Sequence, residues 1–394
     1  MKIRALETLH CDAGWRYFSY VKITTDDDLV GYAEYNECYG SAGLTAVIEA
    51  MGERLRGVDP LASEKINAVL YANTRQAPGG VNTQAMAAIE NALLDIRGKA
   101  LGVPVYRLFG GPVREAFRLY WSHCGSYRVG LAHHMGRQPL RSLEDVQALG
   151  AEVAAQGFTA LKTNILVFGD DEPTLYMPGF AADGQLVDLN PDGNLTDALV
   201  DLIDAFQTGA GPGVDVLLDL NYNFKTEGYL QVGRELDALG LMWLEIDSYD
   251  PAALATIRRG LGTPIASLES LYGMRQFLPF LAAQAVDVAI IDTIWNGVQQ
   301  SLKIAALAEA HEINVAPHNF YGHLCTMHSA HFCAAIPNFR IMEIDIDDVP
   351  WKDDLVTHPP EIVDGHLILP DRPGWGTDLN EEAIRAHPPK TRVR

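Results

Sequence analysis

Apolar and polar positions alternate along the start of the chain. MKIRALETLH and YFSYVKITTDDDLVGYAEY have the two-residue period of β-strands, with a turn expected at 25–28. The period then lengthens. AGLTAVIEAMGERLRG, SEKINAVLYANTRQ and TQAMAAIENALLDIRGKALG read as helices. The last is expected to be capped by Thr83 and stopped by Gly102, with Pro104 beyond. Strands followed by helices predict a small α+β domain over 1–115, and VYRLFGGPVREAFRLYW leads out of it.

From there the pattern changes to strand, helix, strand, helix. Short apolar runs with little alternation occur at 119–124, 160–164, 214–221, 242–246, 264–269, 286–292, 314–319 and 339–345. Continuous apolar character is what strands buried on both faces require. Helical stretches such as EGYLQVGRELDALG and GVQQSLKIAALAEAHE separate them. Eight such strands predict an α/β barrel over 116–354, rather than a doubly wound open sheet. The stretch after the second strand is one unit too long: 57 residues separate Lys162 from Asp219. Its Gly-, Asp- and Pro-rich part, 165–198, predicts a long loop on the active-site face, as a lid or a subunit contact. The C-terminal segment 355–394 is expected to leave the barrel from Asp364 and pack back on the first domain.

One polar residue closes each of several successive apolar runs: Asp219, Glu245, Glu269, Asp292 and His318, at intervals of 26, 24, 23 and 26 residues. A strand, loop and helix consume about that length, since parallel strands need a crossover of a dozen or more residues. Polar residues at successive strand ends are how a barrel presents an active site. Asp219, Glu245 and Glu269 would converge at its mouth. Three such carboxylates repel one another unless a hard divalent cation joins them, and an all-oxygen ligand set favours Mg²⁺ over zinc. One ion per subunit is expected.

The rest of the composition narrows the class. A net charge of −21 over 394 residues disfavours nucleic acid or an anionic membrane as partner. It leaves room for a small carboxylate substrate beside a metal ion. Five scattered cysteines without a CxxC predict reduced thiols and a cytoplasmic protein. MKIRALETLH contains no apolar signal core, and no apolar stretch approaches a membrane span. His133 with His134, and His323, His328 and His331, invite a second metal site, but packing against the barrel is the expectation for the latter group.

The order Lys162, Asp219, Glu245, Glu269, Asp292, His318, Glu343 resembles the mandelate racemase subgroup of the enolase superfamily. So do the segments QAMAAIENALLDIRGKALGVPVYRLFGG, DVLLDLN, WLE, SLES, AIIDT and APHN. The resemblance covers essentially the whole chain. It implies a (β/α)7β modified TIM barrel with an N-terminal α+β capping domain, and a homo-oligomer. It implies that Asp219, Glu245 and Glu269 bind Mg²⁺, and that Asp292 orients the acid/base His318. Glu343 would hydrogen-bond the substrate carboxylate. The shared chemistry would be removal of a proton α to a carboxylate, with Mg²⁺ stabilising the enediolate. Many members carry Lys-x-Lys on the second strand; here the run is Lys162-Thr163-Asn164. Asn164 cannot abstract a proton; Lys162 remains to polarise the substrate carboxylate or, with a lowered pKa, to act as a base, and the missing second Lys suits a sugar-acid dehydratase better than a racemase. A racemase, epimerase or lactone cycloisomerase, and a non-catalytic sugar-acid binder, are the alternatives. Asn164, Asn221, His123, Trp15, Arg16 and Tyr321 are the candidate substrate contacts.

Overall fold

Alternation at the N-terminus produces a three-stranded antiparallel meander, Ile3–Ala13, Arg16–Thr25 and Val30–Tyr35. The computed structural model describes residues 1–169, 172–180 and 189–390. Val21, Ile23, Ala33 and Tyr35 form one face of the meander and pack against helices Leu44–Gly52, Ser63–Thr74 and Gly80–Leu101. The last helix is buried almost throughout, because it lies between the meander and the second domain. On the barrel side, Asn91 donates to Thr293 O at 3.0 Å and accepts from Val298 N at 2.9 Å. The helix does not start at Thr83. It begins at Gly80, behind Gly79, with no side-chain cap. Both glycines have positive φ, 85° and 49°, so the chain swings straight into the first turn. Its end is as expected, with Gly102 left-handed at φ 68°.

The apolar runs become eight parallel strands: Ala116–Ser122, Ala160–Thr163, Asp215–Asp219, Leu244–Glu245, Ile265–Ser267, Val288–Asp292, Asn314–His318 and Met342–Asp345. Each pairs with its neighbour, the eighth pairs with the first, and a Val315–Phe339 bridge joins the seventh to the start of the eighth. The sheet is therefore a closed barrel. Helices follow the first seven strands and none follows the eighth directly, so the barrel is (β/α)7β.

The barrel interior is filled by Tyr120, Ala160, Leu217, Trp243, Ala266, Ile290, Ala316 and Ile341, one on each strand or, for Trp243 and Ile341, immediately before it. Tyr120 and Trp243 meet edge to face at 5.7 Å. Side chains two residues apart on a strand share a face. The next inward positions toward the mouth are therefore Ser122, Lys162, Asp219, Glu245, Asp292, His318 and Glu343. On the fifth strand this step would land on Leu268, an apolar residue. Leu268 instead takes φ 94° and joins the outer core, which shifts the phase by one and makes Glu269 the mouth residue.

The connection after the second strand is more ordered than a long loop. A short hairpin, Leu166–Val167 with Thr174–Leu175, is followed by a turn at Pro178–Phe180. Asp192 then caps the helix Gly193–Ala210 by accepting from Leu195 N at 2.8 Å, so irregular chain ends before 193 rather than at 198. The rest of the predicted loop, 170–171 and 181–188, lies outside the described residues. The C-terminal segment stays with the barrel longer than expected. The hairpin Ile362–Val363 with His366–Ile368 pairs with the first barrel strand, His366 opposite Arg118. Farther on, the segment packs on the capping domain, where Trp375 donates to Asp95 Oδ1 and Tyr32 O, both at 3.1 Å.

Among the described residues no helix is long and apolar enough to cross a membrane. The five cysteines are free. Two of the histidines that might have formed a metal site are core residues of the helix His323–Ala335. His331 accepts from Tyr106 N and faces Trp375 O, each at 3.1 Å, and His328 packs its ring 4.4 Å from Trp375 with no hydrogen-bond partner.

Burial pushes the His331 pKa down to about 3 and that of His328 well below the usual value. The unfolded chain binds protons at these rings below about pH 6.5 while the fold does not, so stability is lost as pH falls from there toward 3. His328→Phe should remove one such group. Urea unfolding at pH 7 and pH 4.5 should show the variant losing roughly 2 to 3 kcal/mol less than the parent on acidification. An unchanged loss would mean that His328 titrates normally.

Candidate active site at the barrel mouth

The strand-end side chains form one connected network. Lys162 Nζ lies 3.2 Å from Asp219, 2.9 Å from Glu245 and 3.1 Å from Glu343, with all four side chains buried. Glu245 also accepts from Trp243 Nε1 at 3.1 Å, and Asp219 from Asn221 N at 3.0 Å. Glu343 accepts from Ser122 Oγ and, at 2.6 Å, from Asn319 N. On the other side, His318 Nδ1 meets Asp292 Oδ2 at 2.7 Å and its Nε2 faces Glu269 at 3.5 Å. Asp292 is fixed in turn by Ile294 N, Trp295 N and the Tyr321 hydroxyl.

The charges shape the acidities. Burial works to lower the Lys162 pKa, but Glu245, Glu343, Tyr120 and Asp219 together hold it well above the lysine range. So held, Lys162 stands in this site as a cation and hydrogen-bond donor. Burial also opposes the charge on His318, yet Glu269 and Asp292 raise its pKa to about 10. Burial pushes Glu343 up, but Lys162, His318 and His123 outweigh it and bring it down to about 2. Lys162, Ser122 and Asn319 N thus hold Glu343 at the mouth, where the resemblance places the group that hydrogen-bonds the substrate carboxylate. Burial, joined by mutual repulsion, raises Glu245, Glu269 and Asp247 above the usual carboxylate values.

Asp219, Glu245, Asp247, Glu269, Asp292 and Glu343 therefore share this site with two cationic groups, Lys162 and His318. The donor set is all oxygen apart from His318, and Asp247 Oδ1 is buried without a partner. That excess of hard anionic donors fits a divalent cation such as Mg²⁺. Among the described residues no three acidic, His or Cys side chains are drawn together as a finished ligand group. Lys162 pulls on two of the three predicted ligands and His318 faces the third.

The other predicted contacts fall in two places. Asn164 and Asn221 sit with the metal-ligand candidates: Asn164 Nδ2 donates to Asn221 Oδ1 at 3.1 Å, and Asn164 Oδ1 accepts from Ser126 Oγ at 2.7 Å. His123, Trp15 and Arg16 form a rim cluster where the capping domain meets the barrel. His123 stacks on Tyr127 at 4.6 Å and pairs with Asp345 at 2.9 Å. The Trp15 ring lies 4.8 Å from Tyr127. Arg16 pairs with Asp348 at 2.7 Å and Asp345 at 3.4 Å and donates to the Phe320 carbonyl, so it ties the capping domain to the barrel. The buried Tyr321 hydroxyl donates to Asp292 Oδ2 at 2.7 Å.

Sequence reasoning missed several residues here. Glu34 of the meander accepts from Gly322 N at 2.7 Å and Cys325 N at 2.9 Å, so the capping domain grips the loop that follows His318. Ser122 and Asn319 fix Glu343. Asp247, two residues beyond Glu245, opens the polar stretch after WLEI and carries no periodic signal. His123 and Asn221 adopt φ of 46° and 45°, left-handed backbone of the kind found at functional sites, which sequence does not announce.

The family model described as mandelate racemase / muconate lactonizing enzyme, N-terminal domain, matches residues 11–110, and the enolase C-terminal domain-like model matches 145–383. D-xylonate dehydratase of Haloferax volcanii is 30% identical, over 98% of this chain and 89% of the relative. D-galactarolactone cycloisomerase of Agrobacterium fabrum is 29% identical, over 92% and 89%. A crystal structure from Burkholderia xenovorans strain LB400, bearing the provisional name L-alanine-DL-glutamate epimerase, superposes with a TM-score of 0.97 at 52% identity over 99% of both chains. A second structure under that name, bound to magnesium and fumarate, superposes with a TM-score of 0.96 at 52% identity, covering 99% of this chain and 97% of that one.

Lys162→Met should leave three buried carboxylates without their cation, at a cost of about 3–5 kcal/mol in the presence of EDTA. Chemical denaturation with and without 10 mM Mg²⁺, roughly a saturating level for such sites, checks this. Mg²⁺ should recover part of the loss; a variant as stable as the parent in EDTA would deny the clamp.

Proposed function

The chain belongs to the enolase superfamily, in the mandelate racemase subgroup, and from that premise we propose that it is a Mg²⁺-dependent dehydratase of a sugar acid. It would convert a 2,3-dihydroxy carboxylate to a 2-keto-3-deoxy acid and water. The observation that carries the reading is the clamp on Lys162. Racemisation at the α-carbon needs a base on each face. Lys162 is held protonated by Asp219, Glu245 and Glu343, and Asn164 has no basic atom. That leaves His318 alone as acid and base.

Asp219, Glu245 and Glu269 would hold the ion, which when bound supplies Lewis-acid stabilisation of the negative charge that develops on the substrate carboxylate. His318 keeps Nδ1 on Asp292; with an ion on Glu269, the charge that does most to hold His318 protonated would be offset and Nε2 freed to take the α-proton. The same imidazolium then gives that proton to the β-hydroxyl, which leaves as water. The resulting enol loses its C2 hydroxyl proton to solvent and gains one at C3 to become the keto acid, so atoms and charge balance. Lys162, as a fixed cation among the strand ends, opposes build-up of negative charge in the site. Dehydratases of sugar acids among the relatives support this reaction class.

The rival reading is an epimerase, favoured by the provisional name of the Burkholderia structure. It requires a second base that the second strand does not offer.

The test is a screen of mono- and diacid sugars with Mg²⁺, scoring 2-keto acid with semicarbazide against an EDTA control. A metal-dependent hit is expected. His318→Asn should then lower turnover by at least about 10²–10⁴ and stop α-proton exchange as well. Exchange retained in that variant would remove His318 from the role.

A further inference from the structure

We propose that Asp247 is a fourth acidic contact of the divalent-ion site, holding the ion through a water bound to it. The inference rests on the metal-dependent reading above and extends it to a residue outside the three-carboxylate set.

Asp247 follows Glu245 by two residues in the extended segment that leaves the fourth strand, so it lies on the same face one step farther toward the mouth. Its residue is 4% exposed, and its Oδ1 is buried with no hydrogen-bond partner. Its backbone N–H is fixed to Asn221 O at 3.1 Å, which holds the residue beside the third strand. The charges it faces are Glu269, Asp219 and Glu245, with His318 opposing them. Lys162 does not serve it: the ion pairs of that lysine go to Asp219, Glu245 and Glu343.

Two nearby hydroxyls could have satisfied Asp247 and are used elsewhere. Tyr222 bonds Tyr249 and Ser270, and Tyr229 donates to Asn221 O at 2.6 Å. A structural aspartate caps a helix or pairs with a cation, and the Oδ1 of Asp247 does neither. Burying an acceptor without a donor costs about 1–3 kcal/mol, more when the group is charged. A fold that keeps one beside three further carboxylates holds it for a ligand.

The reach sets the mode of contact. Two extended residues advance the chain by roughly 6–7 Å. That is too far for the short bond Glu245 would make to the same ion. It suits a hydrogen bond to one of the waters that Mg²⁺ retains.

The test is isothermal titration of Mg²⁺ into the EDTA-stripped, dialysed full chain, comparing the parent with Asp247→Asn, Asp247→Ser and Glu269→Gln. Thermal melts in EDTA verify that each is folded. Loss of an outer ligand weakens metal affinity about 10-fold or more, so both Asp247 variants should bind at least that much more weakly while melting no lower than the parent. If Glu269→Gln weakens binding and both Asp247 variants match the parent, Asp247 is not part of the site and the metal reading stands. If the parent itself takes up no Mg²⁺, the metal reading fails and this inference falls with it.

Discussion

Everything at the barrel mouth depends on an imbalance of charge. Asp219, Glu245, Asp247, Asp292 and Glu343 are buried, Glu269 is nearly so, and Lys162 and His318 are the cationic side chains set among them. Carboxylates out of water must find cations or donors, or give up their charge. This site divides the task. Lys162 binds together the second, third, fourth and eighth strands, and His318 with Asp292 binds the sixth and seventh. What remains uncompensated, on Glu269, Asp247 and the outer oxygens of the third and fourth strands, is a demand for a hard cation. The same division decides which side chain can act as a base, since the clamp that organises Lys162 also keeps its proton on.

The barrel turns this electrostatic problem into a geometric one. Inward residues along each strand are spaced by two, so one apolar layer of Tyr120, Leu217, Trp243, Ala316 and their neighbours sets the level at which the next, polar layer emerges. The left-handed backbone of Leu268 restores the phase on the one strand where it would otherwise miss. The capping domain adds the last constraint. Arg16 and Glu34, far from the barrel in sequence, grip Phe320, Gly322 and Cys325, and so hold the segment just beyond His318.

This explains what could be read from the chain beforehand. Buried parallel strands are short apolar runs, and a lone Asp, Glu or His at the end of each stands out against them, so the strand-end set was legible, as was the barrel. The start of the long cap helix was misread because two consecutive glycines with positive φ made a side-chain cap at Thr83 unnecessary. The roles of Arg16 and Tyr321 were not legible, since their partners are set by the docking of loops distant in sequence. Asp247 was silent for another reason. A single acid after WLEI looks like the first polar residue of a loop, and only burial without a partner marks it out.

The claim that one base serves this site is tested most directly by turnover in D₂O. A substrate found by its keto-acid product would be taken to partial conversion, and both product and residual substrate examined by proton and deuterium NMR. The account predicts a 2-keto acid carrying solvent deuterium at C3, with residual substrate of unchanged configuration at the α-carbon. Appearance of the α-epimer, labelled with deuterium, would require a second base opposite His318 and would contradict it.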